Sequence, residues 1–189
     1  MGLMRGFVLR LLDVVLAGVG LLLLWPVLLV LCALGWLDTR SPLFMQERVG
    51  RHQRPFVLVK LRTMRVGTAS VASHLASSSA ITPLGALLRR TKLDELPQLW
   101  NVLLGDMSLV GPRPGLFNQT ELTAARAAQG VFTARPGITG LAQVNGIDMS
   151  TPELLAQTDA QMLRDLDVAN YVRFIVLTVL GKGTGDAVR

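Results

Sequence analysis

The sequence predicts an α+β fold, mostly helical, with an N-terminal re-entrant membrane helix, interfacial amphipathic helices and one small β-hairpin. Three observations predict it. Residues 14–37 contain no charged side chain, two short strand-like stretches follow, and apolar residues then recur at spacings of three, four and seven. Half of the 189 residues are hydrophobic and the mean hydropathy is +0.44, which argues against a wholly soluble domain.

The uncharged run is long enough to cross a bilayer, but Pro26 sits inside it, where a proline removes a helix hydrogen bond and crowds the preceding turn. A kink is therefore expected. Residues 14–25 at about 1.5 Å per residue reach roughly 18 Å, short of a hydrocarbon core of about 30 Å. Arg5 and Arg10 precede the run, and Arg40, Arg48, Arg51 and Arg54 follow it, so both flanks read as cytoplasmic. A re-entrant helix fits these features, with a kinked spanning helix as the alternative. The run is too long for a signal-peptide core and lacks a small-residue cleavage site, so it is expected to be retained. Arg10 and Asp13 form an i, i+3 pair, read as helix support or a head-group contact.

After the break at Ser41-Pro42, residues 43–46 and 56–62 read as a hairpin around a polar loop. In "FVLVKLRTM" the period of two puts Lys60 and Arg62 on one face, opposite Val57, Val59 and Leu61. A serine- and alanine-rich loop is expected over 66–82. Residues 84–104 carry the stripe of an interfacial or half-buried helix, a helix opens at Thr151-Pro152-Glu153, and another runs over 171–180. The expected divisions are a membrane segment at 1–40, an interfacial body at 41–182 and a flexible tail at 183–189.

The formal net charge of +6 suits anionic lipid or phosphorylated substrates. No zinc-finger or RNA-binding motif accompanies it, which argues against nucleic acid. The one cysteine, Cys32, lies in the apolar run and reads as a small buried hydrophobe. His52 and His74 sit in polar loops without a second ligand nearby, and neither is assigned a role.

Against this basic background, "KLDELPQLWNVLLG" places Asp94 and Glu95 just ahead of Pro97. A helix starting at 95–97 would carry proline in its first turn and Asp94 near its N-cap. "GDMSLVGPRPG" and "ARPGITGLAQVNG" each hold an arginine, Arg113 and Arg135, in a stiff loop of proline and glycine. Guanidinium forks match phosphate oxygens. Acids among Lys60, Arg62, Arg89, Arg90, Arg113 and Arg135 suit a divalent metal, phosphates and a carboxylate nucleophile.

Residues 88–114, "LRRTKLDELPQLWNVLLGDMSLVGPRP", together with "FMQERVG", "VKLRTM" and "RPGITGLAQVNG", closely resemble the bacterial sugar transferase family, specifically its small monotopic phosphoglycosyl transferases. The resemblance covers nearly the whole chain. It implies transfer of a sugar-1-phosphate from a UDP-sugar to undecaprenyl phosphate, with Mg2+ and release of UMP, at the cytoplasmic face of the bacterial inner membrane. It makes Asp94 the nucleophile and Glu95 its partner, both near the metal, and gives Lys60, Arg62, Arg89, Arg113 and Arg135 to phosphate binding. Asp159 matches a late acidic position of the substrate site. The membrane lipids are implied partners, and a homodimer is left open. Two departures stand out: Trp25-Pro26 replaces the Ser-Pro of many relatives, and the segment after Gly146 lacks their Trp-rich sequence. The transferred sugar is not legible. A membrane-bound hydrolase of nucleotide sugars or polyprenyl diphosphates, and a non-enzymatic scaffold, are the competing readings.

Overall fold

The structure is a computed structural model that describes residues 3–68 and 78–183. His74, most of the expected serine-rich loop and residues 184–189 of the expected tail lie outside the described residues. Helix α1 (Leu3–Thr39) runs through Pro26 without interruption. Proline removes one rung of the ladder and the turns on either side keep theirs, so it does not end the helix there. Leu9, Asp13, Ala17, Leu31 and Gly35 are buried in one seam, while Leu22, Leu23, Trp25, Val27, Leu29 and Val30 are exposed.

Asp13 lies in that seam, and its Oδ1 accepts from the Tyr171 hydroxyl at 2.6 Å, the Ser108 hydroxyl at 2.9 Å and the Leu109 amide at 2.7 Å. Burial and the bond to Asp13 together push the Tyr171 hydroxyl pKa upward. Arg10, 3.8 Å from Asp13, donates to the carbonyls of Val102 at 2.8 Å and Leu103 at 3.1 Å. The pair is thus a buried tie between helix and body, and the head-group reading is corrected.

Strands β1 (Leu43–Val49) and β2 (Pro55–Leu61) pair antiparallel, with Phe44 opposite Lys60 and Arg48 opposite Phe56. The hairpin is longer than expected because its loop closes in a single 3-10 turn, in which His52 and Gln53 take left-handed backbones. Its alternation turns Gln46, Arg48, Phe56, Leu58 and Lys60 inward.

The expected 84–104 stripe divides into α2 (Pro83–Thr91), capped by Thr82, and α3 (Gln98–Leu104). Between them Lys92 adopts a left-handed backbone (φ 58°) and turns the chain. Leu84, Leu88, Leu93 and Leu96 pack with Leu31 and Cys32 of α1. Leu87, Trp100 and Leu104 face outward.

Strands β3 (Ser108–Val110) and β4 (Gly137–Thr139) form a short parallel pair that brings the two Pro/Gly/Arg loops together. A Cβ on Gly137 would lie 2.0 Å from the Gly111 nitrogen, so only glycine fits there. Four helices complete the body: α4 (Thr120–Ala128), α5 (Leu141–Val144), α6 (Pro152–Asp165) and α7 (Val168–Val179). Helix α7 begins at its Asp167 cap, earlier than expected, and α4 was not foreseen.

Asp13→Ala strands three donors in the interior and is expected to cost about 3 kcal/mol. Denaturant unfolding in detergent measures it. A loss below about 0.5 kcal/mol would contradict the tie.

Candidate active site

Asp94 and Glu95 occupy a 3-10 turn, Leu93–Glu95, one turn ahead of α3. Asp94 therefore does not cap α3, whose start has Pro97 at the N-cap position and no side-chain cap. The acids are drawn inward because the left-handed Lys92, the C-cap of α2, reverses the chain just before them. Asp94 is 2% exposed and Glu95 7%, so water does little to solvate either carboxylate. Arg113 Nη2 donates to Glu95 Oε1 at 2.7 Å, a charge-assisted bond from the β3 loop to the dyad turn. Lys92 lies close enough to sense both: burial pulls its pKa down, Glu95 opposes this and Arg113 reinforces it.

On the hairpin side of this turn a polar cavity of about 10 Å³ is lined by Arg48, Leu58, Lys60, Gln98, Arg113 and Pro114. Three cations thus converge beside the dyad. Arg48 reaches it from β1 and donates to the Pro114 carbonyl at 3.2 Å and to Gln46. On the other side lies an apolar groove of about 670 Å³, into which Glu95 and Lys92 project among Leu93, Leu96, Leu99 and residues of α7.

The sequence-predicted residues separate on this map. Glu95, Arg113 and Lys60 come together with Asp94 one residue away. Lys60 and Arg62 both flank Phe44, 5.6 and 5.4 Å from its ring, so they share a strand face as expected. Arg62, however, donates to the carbonyls of Ser41 and Leu43 and to the Ser41 hydroxyl, fastening the hairpin to the exit of α1. Arg89 donates to Thr63 Oγ1 at 2.8 Å.

Arg135 lies at the opposite end of α3 from the dyad, donating to the Gly105 carbonyl at 2.8 Å. Burial, with Arg10 and Arg51 nearby, pulls its pKa down. Two arginines, Arg10 and Arg135, thus donate to carbonyls at the end of α3, of which Val102 also accepts the Gly105 amide. Asp159 is fully buried and accepts from Arg126 Nε at 2.9 Å and Nη2 at 2.7 Å. Burial pushes its carboxyl pKa up, against the pull of Arg126. Asp159 acts at one remove: Arg126 Nη1 also donates to the Arg113 carbonyl at 2.8 Å, so the pair steadies the loop that carries Arg113.

Arg126 and Arg48 were missed by sequence reasoning. The alternation of β1 could have found Arg48, which turns inward on the strand beside that of Lys60, opposite Phe56. Nothing in "TELTAARAA" marks Arg126, which depends on a fold contact with α6.

The donor set suits Mg2+, a hard cation held by one or two carboxylates with substrate phosphates and water completing its shell. Asp94 and Glu95 are the two carboxylates that would hold it. No group of three or more His, Cys, Asp or Glu side chains able to hold a metal occurs among the described residues. A binding mode shared with the substrate is therefore the one these residues fit.

The sequence pattern of the bacterial sugar transferase family matches residues 4–182. The chain belongs to that family, as an enzyme of the phosphoglycosyl transferase class. It is 43% identical over 187 residues to a UDP-glucose:undecaprenyl-phosphate glucose-1-phosphate transferase of Caulobacter vibrioides, covering 94% of this chain and 70% of that one. A Xanthomonas campestris protein of the same name is 39% identical, with 91% of this chain and 38% of the relative covered. A UDP-galactose-lipid carrier transferase of Erwinia amylovora is 34% identical, with 83% and 36% covered. The chain thus spans well under half of the last two.

Asp159→Ala leaves Arg126 charged and buried, an expected loss of about 3–5 kcal/mol. Replacing both, Arg126→Met with Asp159→Leu, should recover most of that stability but not the turnover, because the Arg113 carbonyl still lacks its donor. Unfolding curves and rates on the same preparations separate the two. Equal recovery of both would show the pair to be scaffold alone.

Proposed function

We propose that this enzyme moves a sugar-1-phosphate from a UDP-sugar to undecaprenyl phosphate, giving undecaprenyl-diphosphate-sugar and UMP, as the first membrane step of glycan assembly. The observation that carries this reading is the Glu95–Arg113 pair, which joins a cationic cavity to an apolar groove across the dyad turn. A substrate rich in phosphate and one rich in hydrocarbon would meet there. The names of the Caulobacter, Xanthomonas and Escherichia coli relatives support both substrates.

In the first step an Asp94 carboxylate oxygen bonds to the β-phosphorus of the UDP-sugar. The bond from that phosphorus to the bridging oxygen breaks, and UMP leaves with the electron pair. In the second step an oxygen of the polyprenyl phosphate bonds to the same phosphorus and Asp94 is released as carboxylate. Both attacking groups are already anions, so neither step needs a general base. The obstacle is repulsion between anions, which Arg48, Lys60 and Arg113 offset by holding the diphosphate. Glu95 keeps Arg113 aimed at the reacting phosphate. When bound, Mg2+ would neutralise phosphate charge beside Asp94 and Glu95 and help UMP leave.

The apolar α1 makes this a membrane-associated protein. Its two ends are fastened to one body, through Leu9, Asp13 and Ala17 at one end and Leu31 and Gly35 at the other. The exposed apolar stretch lies between. That arrangement supports a re-entrant helix entering from the cytoplasmic face of the inner membrane. The outward Trp100 and Leu104 suit the interface.

Asp94→Asn should abolish both UMP release without acceptor and isotope exchange between UMP and UDP-sugar. Glu95→Gln should slow both by roughly 10²- to 10³-fold, the size of effect seen when one charge-stabilising group is lost. His52→Ala, at an exposed loop position, should leave both rates unchanged. Exchange that begins only when acceptor is added, with no modified Asp94 peptide by mass spectrometry, would indicate direct transfer instead.

A further inference from the structure

Gln98 is only 4% exposed, yet its side-chain amide has no hydrogen-bond partner among the described residues. It faces the polar cavity that Arg48, Lys60 and Arg113 also line. The cations there are engaged with the protein: Arg48 donates to Gln46 and the Pro114 carbonyl, Arg113 donates to Glu95, and Lys60 lies over the Phe44 ring. A buried amide left unpaired costs stability, so its retention beside three cations points to a partner that arrives from outside the protein.

Gln98 also lies close to where such a partner would react. The chain is helical from the dyad into α3: residues 93–95 form a 3-10 turn, Leu96 and Pro97 keep right-handed helical dihedrals, and α3 begins at Gln98. Asp94 and Gln98 are thus four residues apart on one helical path, a spacing that puts two side chains on the same side. Helical side chains lean toward the N-terminus, so that of Gln98 points back over the turn that carries Asp94. The cavity it faces is about 10 Å³, room for one oxygen atom rather than for a whole phosphate. Side chains from β1, β2, the loop after β3 and α3 surround that single position.

We propose that the Gln98 amide contacts the transferred phosphoryl group directly, its Nε2 donating to a non-bridging oxygen seated in this cavity. The inference rests on the transferase reading above and adds a catalytic residue to it. The bonds that form and break are unchanged, and Gln98 neither gains nor loses a proton. While the phosphorus passes from UMP to Asp94 and from Asp94 to the lipid phosphate, its non-bridging oxygens carry negative charge throughout. Donors fixed in advance around one of them stabilise both transition states. A neutral donor suits the intermediate. Once UMP has left, the phosphosugar on Asp94 carries a single negative charge, and a fourth cation there would hold it too firmly for the second step. The amide supplies a directed hydrogen bond without that charge.

The test uses the full chain in nanodiscs and follows UMP release without acceptor. The substrates are a UDP-sugar that the wild type accepts and its two diastereomers in which sulfur replaces a non-bridging oxygen on the β-phosphorus. Gln98→Met keeps the length of the side chain and removes the donor. It should slow UMP release by roughly 10²-fold, with KM changed by less than about threefold and Tm by no more than about 2 °C. Sulfur accepts hydrogen bonds poorly, so the diastereomer that puts it in the cavity loses the Gln98 bond in the wild type but has none to lose in the variant. The rate cost of sulfur in that diastereomer should therefore be roughly tenfold smaller in Gln98→Met than in the wild type. Gln98→Glu, which keeps the shape and can pair with Arg48, is the second variant and should show the same reduced sulfur cost at an equally low rate. A structural role alone slows oxygen and sulfur substrates alike, so an unchanged sulfur cost in both variants would overturn the inference, as would Gln98→Met turning over at the wild-type rate. Either of those results, with UMP released by the wild type, leaves the transferase reading intact. Wild-type protein that releases UMP from no UDP-sugar defeats that reading and the inference together.

Discussion

A carboxylate on the buried seam of an apolar helix is the constraint on which the rest of this structure depends. Taking Asp13 out of water is costly, and the cost is met by the Tyr171 hydroxyl, the Ser108 hydroxyl and the Leu109 amide. Those donors come from the start of β3 and from α7. One turn earlier Arg10 takes the carbonyls of Val102 and Leu103 at the end of α3. A single turn of α1 therefore positions the two elements that matter for chemistry: α3, which follows the dyad, and β3, which leads to Arg113. Without that turn, neither element has a fixed relation to the membrane helix.

The second organising feature is the reversal at Lys92. Its left-handed backbone is unusual for a residue with a side chain, and it persists because its amide closes α2 and its ammonium holds Lys182. The reversal makes residues 93–98 a partition. Glu95 and Gln98 meet the cations of the hairpin and the β3 loop, while Leu93 and Leu96 meet α1 and α7. Charge and hydrocarbon are thereby sorted onto two sides of one short segment, which is what a transfer between a nucleotide and a lipid demands.

Much of this was legible in the sequence where local pattern carries the information. The hairpin showed in its alternation, α6 in Thr151-Pro152, and the dyad in its motif. Proline at 26 pointed to a kink because local sterics favour one; the helix continues through it, with Leu9, Asp13 and Ala17 buried on one side and Leu31 and Gly35 on the other. The two loops of proline, glycine and arginine looked equivalent in sequence. Gly111 and Gly137 pack these loops backbone against backbone, yet their guanidiniums go to different ends of α3, and no local pattern reports either contact. Asp159 stood out as an acid, but its partner Arg126 lies 33 residues away on another helix. The charge pairs of the site are tertiary facts, and only the motif made some of them visible.

The central claim is that α1, held at both ends by one body, enters and leaves the membrane from the same side. Single cysteines at Phe7 and Leu37, both exposed, in a Cys32→Ala background test it through reaction with a membrane-impermeant maleimide in right-side-out and inverted vesicles. The account predicts that both positions react only in inverted vesicles, where the cytoplasmic face is outward. Reaction of Phe7 and Leu37 from opposite faces would make α1 a spanning helix and contradict it.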